Sequence, residues 1–399
     1  MLGQAEPRAV AGDAEGGLVV AGDFRGPVRI DQSAIDGEGA FVLRTGPDSS
    51  VRWLRAVSVG FRVRAAAFAA DGDVVIAGEA GGKCSVARLG GADGAQKWTA
   101  AMAGEASSCT TVAPGGGWVA GTFTGVVSAE IASRGLSDAF FAQLSDAGDI
   151  RLVRSFGGQG RDEPRALLAL PSGDLLLGGQ FGGDIDVAAS AVDFGRGAVK
   201  SAGDFDGFLL ALGPDAKTRW AATFGDTGDD EVTALAAGSD GAIYAGGHHQ
   251  PAGEFSGLAA RGVGNFTGAV LRYTPAGRGE WVRIFEGKNS SVSALAFDTA
   301  GRLWAAGEFQ GDLRVGSVSI PSAGGQDLFA VALAPATGEP LGARSLGSPA
   351  RERLAGVASI PGGIALAGST RGEMPACRKL IGSPGEATGF VVWLRDLAN

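Results

Sequence analysis

Leu175-Leu176-Leu177-Gly178-Gly179-Gln180-Phe181-Gly182-Gly183 is a short apolar run ending in glycine, then a polar residue, an aromatic and more glycine. Alone it could pass for a glycine-rich nucleotide loop. Six variants elsewhere decide against that: Val19-Val20-Ala21-Gly22-Asp23-Phe24, Val75-Ile76-Ala77-Gly78-Glu79, Trp118-Val119-Ala120-Gly121-Thr122-Phe123, Ile243-Tyr244-Ala245-Gly246-Gly247-His248, Leu303-Trp304-Ala305-Ala306-Gly307-Glu308-Phe309 and Ile364-Ala365-Leu366-Ala367-Gly368-Ser369. Seven copies of one strand signature, with marker glycines at 22, 78, 121, 179, 246, 307 and 368, mark a repeat architecture.

Each copy, strand b, has three strand-like companions. Strand a precedes it, as in Arg165–Leu170, Val232–Ala236 and Val292–Phe297. Strand c follows and opens with a small or acidic residue: Asp138-Ala139-Phe140, Asp206-Gly207-Phe208, Asp327-Leu328-Phe329. Strand d alternates, as in Trp53-x-Arg55-x-Val57, Trp98-x-Ala100-x-Met102, Leu152-x-Arg154-x-Phe156, Trp220-x-Ala222-x-Phe224 and Trp281-x-Arg283-x-Phe285. Residues two apart share one face of a strand, so the large apolar ends lie together and the tryptophans read as packing. No helical periodicity competes. The expectation is an all-β, seven-bladed β-propeller of four-stranded antiparallel blades, one domain over residues 1–399.

The a–b and c–d turns are tight Gly/Pro/Asp turns such as Ser172-Gly173-Asp174 and Pro275-Ala276-Gly277. The b–c connections (184 to 204, 250 to 264, 311 to 326, 371 to 387) are long and variable, which points to the b–c/d–a face as the working one. Only six complete d strands are present. Leu2-Gly3 aligns with the d-strand tail Leu346-Gly347, so the last blade is expected to be incomplete or closed by the N-terminus.

The 69 glycines sit at regular offsets between apolar runs, as turns and strand ends. A net charge of −9 argues against nucleic acid or an anionic membrane as the main partner. No apolar run reaches the ~20 residues of a membrane helix. The start, Met1-Leu2-Gly3-Gln4, lacks the features of a signal peptide. Arginine far outnumbers lysine beside abundant Ala and Gly, a bias of GC-rich bacterial coding.

A b strand ending in Gly-x-Phe-x-Gly, an Asp-x-Phe c strand and a Gly-Gly after strand d together resemble the bacterial SBBP-type β-propeller repeat proteins. Matching stretches are Gly307-Glu308-Phe309-Gln310-Gly311, Ser322-Ala323-Gly324-Gly325-Gln326-Asp327-Leu328-Phe329 and Ser155-Phe156-Gly157-Gly158-Gln159-Gly160. The resemblance spans the whole chain, best in blades 4 to 6 and worst in blade 2, whose b–c segment Gly81-Gly82-Lys83-Cys84 is short. It implies an exported, surface or lipoprotein-type bacterial protein, and is nearly silent on chemistry.

The candidate binding residues on the loop face are Arg161, Asp162, Glu163, Asp229, Asp230, Glu231, His248 and His249. The two histidines are the only ones, which excludes three-histidine zinc sites and HExxH. They read as an exposed pair beside solvated acids, and Asp162-Glu163 recurs in the same loop one blade earlier. No metal site and no cofactor is expected, although Asp204, Asp206, Asp226, Asp229 and Asp230 could offer oxygen ligands to calcium. No nucleophile elbow or P-loop is present. Cys84 and Cys109 face one side of adjacent blades, so a disulfide is allowed in an exported protein. The composite expectation is a non-enzymatic, monomeric binding or scaffold propeller for a protein or envelope component. One alternative is a lyase or hydrolase with an acidic, metal-assisted site near the channel. The other is a lectin-like glycan binder.

Overall fold

The computed structural model describes residues 5–57, 60–128, 131–183, 190–250, 252–255, 258–262, 264–376, 379–381 and 387–395. It is all strand and turn, in seven blades. Blade 4 is representative: Arg161–Ala169 (a), Leu175–Gly183 (b), Asp206–Leu212 (c) and Thr218–Phe224 (d) pair in that order, antiparallel. The a strands, Ala5–Gly12, Arg62–Phe68, Ala106–Val112, Arg161–Ala169, Glu231–Ala237, Asn289–Phe297 and Glu352–Ile360, stand side by side around the axis. The last packs against the first, with Leu18, Ala358, Ile360 and Ala365 buried between blades 7 and 1. The b and c strands are buried on both sides, because each sheet is sandwiched between neighbours. No helix among the described residues is long and apolar enough to cross a membrane.

Blades 1 to 6 have four strands. Blade 7 has three among the described residues, Glu352–Ile360, Gly363–Thr370 and Thr388–Leu394. Leu2-Gly3, read as the tail of a closing strand, lies outside the described residues.

Two expectations need correction. The b–c connections are not open loops: in every blade but the second they carry a small two-stranded hairpin, such as Val28–Ile30 with Ser33–Ile35 and Leu313–Val315 with Val318–Ile320. Their apolar residues are core, since Val192 and Phe194 pack with Phe156, Phe181 and Phe208, and Leu313, Val315 and Ile320 pack with Phe285, Phe309 and Phe329. In blade 2 the connection is the two-residue turn Gly81-Gly82, both at positive φ, which suits a tight hairpin. Cys84 therefore lies in strand c of that blade. The second correction is one of register: the blade 5 counterpart of Gly179 is Gly247, opposite Val232, and not Gly246.

The d-strand tryptophans latch each blade to the next. The indole N–H of Trp53, Trp98, Trp220 and Trp281 donates to the carbonyl of Gly91, Asp146, Pro275 and Pro335, at 2.9, 2.9, 2.9 and 3.2 Å, always in the following blade's c–d turn. In each of those turns a left-handed glycine (Gly94, Gly148, Gly277, Gly338) lies flat on the ring, where a Cβ would come within 3 Å of it. Where no tryptophan precedes, the same left-handed position holds Ser49 (blade 1) or Ala216 (blade 4). The ring contact, more than the backbone angle, demands glycine there.

Candidate functional site

Each a strand enters the channel through a polar–apolar–polar triplet: Glu6-Pro7-Arg8, Arg62-Val63-Arg64, Ser108-Cys109-Thr110, Glu163-Pro164-Arg165, Glu231-Val232-Thr233, Ser291-Val292-Ser293, and Arg353-Leu354-Ala355, whose last place is apolar. The third residue is an unpaired bulge in all seven. The middle residue is buried in all but the last triplet, where Leu354 is only partly so. A ring of polar side chains results, level with the ends of the b strands on the b–c/d–a face. Three cavities follow one another around this mouth. One of about 220 Å³ holds His248, Phe266, Ser291, Glu308 and Gln326. The next, about 310 Å³, shares Glu308 and Gln326 and adds Arg8, Arg351 and Arg353. The third, about 590 Å³, shares Arg8 and opens between blades 1 and 2. A larger cavity of about 1030 Å³ occupies the opposite, tight-turn end of the channel, lined by inner-strand residues such as Ala66 and Ala296 and by charged turn residues such as Asp13, Arg44, Asp71 and Asp73.

The sequence-predicted residues divide between this mouth and the blade boundaries. Glu163 accepts from Arg165 (2.6 Å) and Gln180 (3.2 Å), and Glu231 accepts from Arg165 at 2.6 Å, so all four stand on the channel side. His248 is half-buried: its Nδ1 lies 3.3 Å from Ser291 Oγ, and Phe266 meets the ring edge-on. Burial depresses its pKa, against the pull of Glu231 and Asp229. His249 points to the other side and is buried, with Nδ1 2.7 Å from the Gln250 carbonyl, so the two histidines are not an exposed pair. Arg161 is exposed at the strand start and Asp229 is half-buried.

Asp162 and Asp230 are not solvated acids. Asp162 accepts from the backbone N–H of Gly158 (2.8 Å) and Gly182 (3.2 Å), and Asp230 from Asp226 (3.1 Å) and Gln250 (3.2 Å). Each is paired across a blade boundary with the aspartate opening the previous strand c, Asp138 and Asp206, whose carboxylates receive Arg134 N–H and Ala202 N–H, both at 3.0 Å. Asp327 with Glu352 repeats the arrangement between blades 6 and 7. Burial is the main cause that pushes Asp162 and Asp230 up to about 7 and Asp206 to about 6, with like charge from Asp138 adding to Asp162. At each of these boundaries it is the backbone N–H of the second acid that crosses, donating to the carbonyl of the residue before the first: Asp162 to Ser137 (2.9 Å), Asp230 to Phe205 (2.8 Å) and Glu352 to Gln326 (2.8 Å). Between blades 5 and 6 the same places carry Thr267 and Ser290, and between blades 2 and 3 the nearby staple is a Cys84–Cys109 disulfide with Cα atoms 4.6 Å apart.

The geometry limits the chemistry. Ser291, His248 and Glu231 form the nearest approach to a hydrolytic triad. A triad needs serine on one ring nitrogen and the acid on the other. Here Ser291 Oγ and Glu231 Oε2, at 3.3 and 4.0 Å, address the same Nδ1. Asp229, Asp230 and Arg161 do not line the His248 cavity. Among the described residues no three His, Cys, Asp or Glu side chains gather closely enough to hold a metal ion, so the calcium expectation finds no cluster there. The residues missed from the sequence are Arg8, Arg62, Arg64, Arg351, Arg353, Ser291 and Glu308. The signal was the charged-x-Arg pattern at the start of the a strands.

No protein-family model matches the chain, and no curated protein matches it in sequence. Among solved structures it is similar to the Cps50 (Swd1) β-propeller domain of Myceliophthora thermophila, with 10% identity, 99% of this chain and 98% of that one covered, and a TM-score of 0.53. It is also similar to BamB of Moraxella catarrhalis (14% identity, 98% and 100% covered, TM-score 0.45) and Sqt1 of Chaetomium thermophilum (11%, 92% and 93%, 0.45). At such identities the similarity to Cps50 speaks for the propeller fold alone.

Proposed function

We propose that this chain is a non-catalytic binding propeller that engages a protein or envelope component through the channel mouth on its b–c/d–a face, as a monomer. The observation that carries the reading is the run of three adjoining cavities around that mouth, each with polar side chains among its lining and built on the inner strands. Among the described residues, the hairpins beside it pack into the rim through Val28, Val192, Leu313 and Ile320. We extend the reading to an exported, bacterial SBBP-type protein. The Cys84–Cys109 pair suits an oxidising compartment, and the first glycine after strand d has a structural meaning, since a Cβ on Gly157 or Gly347 would strike Asp138 or Asp327. The enzymatic alternative rests on the His248 cavity and requires turnover that is lost in His248→Ala.

The test is site-specific photo-crosslinking in the cells that carry the protein, from Gln326 at the mouth, Leu341 on the rim and Asp71 on the opposite face. Crosslinks from Gln326 alone are expected. Crosslinks only from Leu341 or Asp71 would overturn the assignment of the face.

A further inference from the structure

The boundary between blades 1 and 2 is one of four on the working face without a carboxylate pair, with those between blades 2 and 3, 5 and 6, and 7 and 1. Register places Gly39 where Asp206 opens strand c of blade 4, since Gly39 faces Phe24 as Asp206 faces Phe181. Phe61 precedes Arg62 as Asp162 precedes Glu163, and Arg62 faces Glu79 as Glu163 faces Gln180. The carboxylate pair found at three other boundaries is therefore absent here, replaced by a residue without a side chain and a buried phenyl ring. The cavity of about 590 Å³ opens at this place. Its floor is apolar, with Phe24, Phe61 and Val63 buried.

Arginine outnumbers acid on the walls of the cleft, and Glu79 stands opposite Arg62 on strand b just outside them. The walls carry Arg8, Arg25, Arg62 and Arg64 against Glu6, Asp23 and Glu38. Arg8 takes up Glu6 (2.9 Å) and Asp23 (3.1 Å), and Arg25 faces Glu38 at 3.5 Å. Glu6 and Asp23 are thus held by Arg8, while the Arg25–Glu38 pair is largely exposed and weak. Arg62 and Arg64 are left exposed and without an ion pair among the described residues, in a protein whose net charge is −9. The two flank buried Val63, with Arg64 on the bulge, so one short piece of inner strand presents both guanidinium groups beside the same cleft.

We propose that this cleft binds an acidic segment of a partner polypeptide, with Arg62 and Arg64 each taking one carboxylate; the proposal rests on the mouth face being the working one. An extended peptide places side chains two residues apart on one side, about 7 Å along the chain, so the fitting pattern is acid-x-acid. Guanidinium pairs bidentately with carboxylate. The three acids already in the cleft oppose a continuous polyanion such as nucleic acid and tolerate a ligand whose charges are spaced.

The test uses the full chain and a fluorescent Ser-Glu-Ser-Glu-Ser-Glu peptide, with the Ser-Gln analogue and duplex DNA as comparators, at low and physiological salt. The natural protein is expected to bind the glutamate peptide and not the glutamine one, and Arg62→Gln/Arg64→Gln to weaken binding about tenfold. Arg62→Glu/Arg64→Glu is expected to lose the glutamate peptide and to gain a Ser-Lys-Ser-Lys-Ser-Lys peptide, which keeps the test meaningful if one variant folds poorly. Equal glutamate-peptide affinity in the Gln variant, or tighter arginine-dependent binding of DNA, overturns the proposal. A partner that crosslinks from Gln326 yet binds the Gln variant unimpaired overturns this proposal alone. Peptide binding at these arginines without crosslinks from Gln326 supports the site and counts against the wider reading of the mouth.

Discussion

A Cβ on Gly179 would stand 2.1 Å from the Glu163 carbonyl oxygen, and the b-strand counterparts Gly22, Gly78, Gly121, Gly247, Gly307 and Gly368 meet the equivalent oxygen at 1.8 to 2.4 Å. The bulge in each a strand pushes that carbonyl toward strand b, so the repeated glycine is the imprint of the bulge. Gly179→Ala is expected to destabilise by about 1–3 kcal/mol, as overpacking does, whereas Gly117→Ala, where an added Cβ meets nothing within 4 Å, should change stability by less than about 0.5 kcal/mol. Urea midpoints of the two variants check this. The buried acids give a second prediction at this scale. Asp162 and Asp230, at about 7, bind their protons more tightly folded than unfolded, where an aspartate titrates near 3.9. A raised carboxylate favours the fold below its unfolded pKa, and that contribution is lost as pH rises through the folded value. Melting temperature should therefore fall as pH is raised from about 5 to about 8. Asp138→Asn removes the like charge facing Asp162 and should make that slope shallower; an unchanged slope would count against the paired-acid account.

Between blades, the recurring unit is the tryptophan latch on the next c–d turn. Trp220→Phe keeps an aromatic ring beside Gly277 but removes the bond to the Pro275 carbonyl and part of the indole's packing, so a loss of at least about 1 kcal/mol is expected in chemical denaturation. No loss would count against the latch as a stabilising contact. The strand signature in residues 175–183 was enough to recover the blade, because alternation and turn glycine are local properties of a chain. The b–c hairpins were not legible. Their strands run only two to four residues, and their apolar residues are defined by the neighbouring blade on which they pack. His249 was misread for a similar reason. Adjacent residues on a strand face opposite ways, and the histidine pair alone does not say which one turns inward.

Over the whole ring, the repeat predicted seven blades, and closure appears as blade 7 packing on blade 1. The candidate site was half legible: Glu163, Glu231 and His248 reach the mouth, while Asp162 and Asp230 are buried at blade boundaries, each facing an acid of the neighbouring blade. The arginines escaped notice because their meaning lies in a comparison between boundaries, where Gly39 and Phe61 replace acids. The central claim is that the mouth carrying those arginines, and not the larger cavity of about 1030 Å³ at the tight-turn end, is where a partner sits. Hydrogen exchange of the full chain, alone and with the partner recovered by crosslinking from Gln326, tests this most directly. Slowed exchange is predicted at Arg62–Arg64, Asn289–Ser291 and Arg351–Leu354. Slowing confined to the turns at Asp13–Gly17 and Ala69–Asp73 would contradict it.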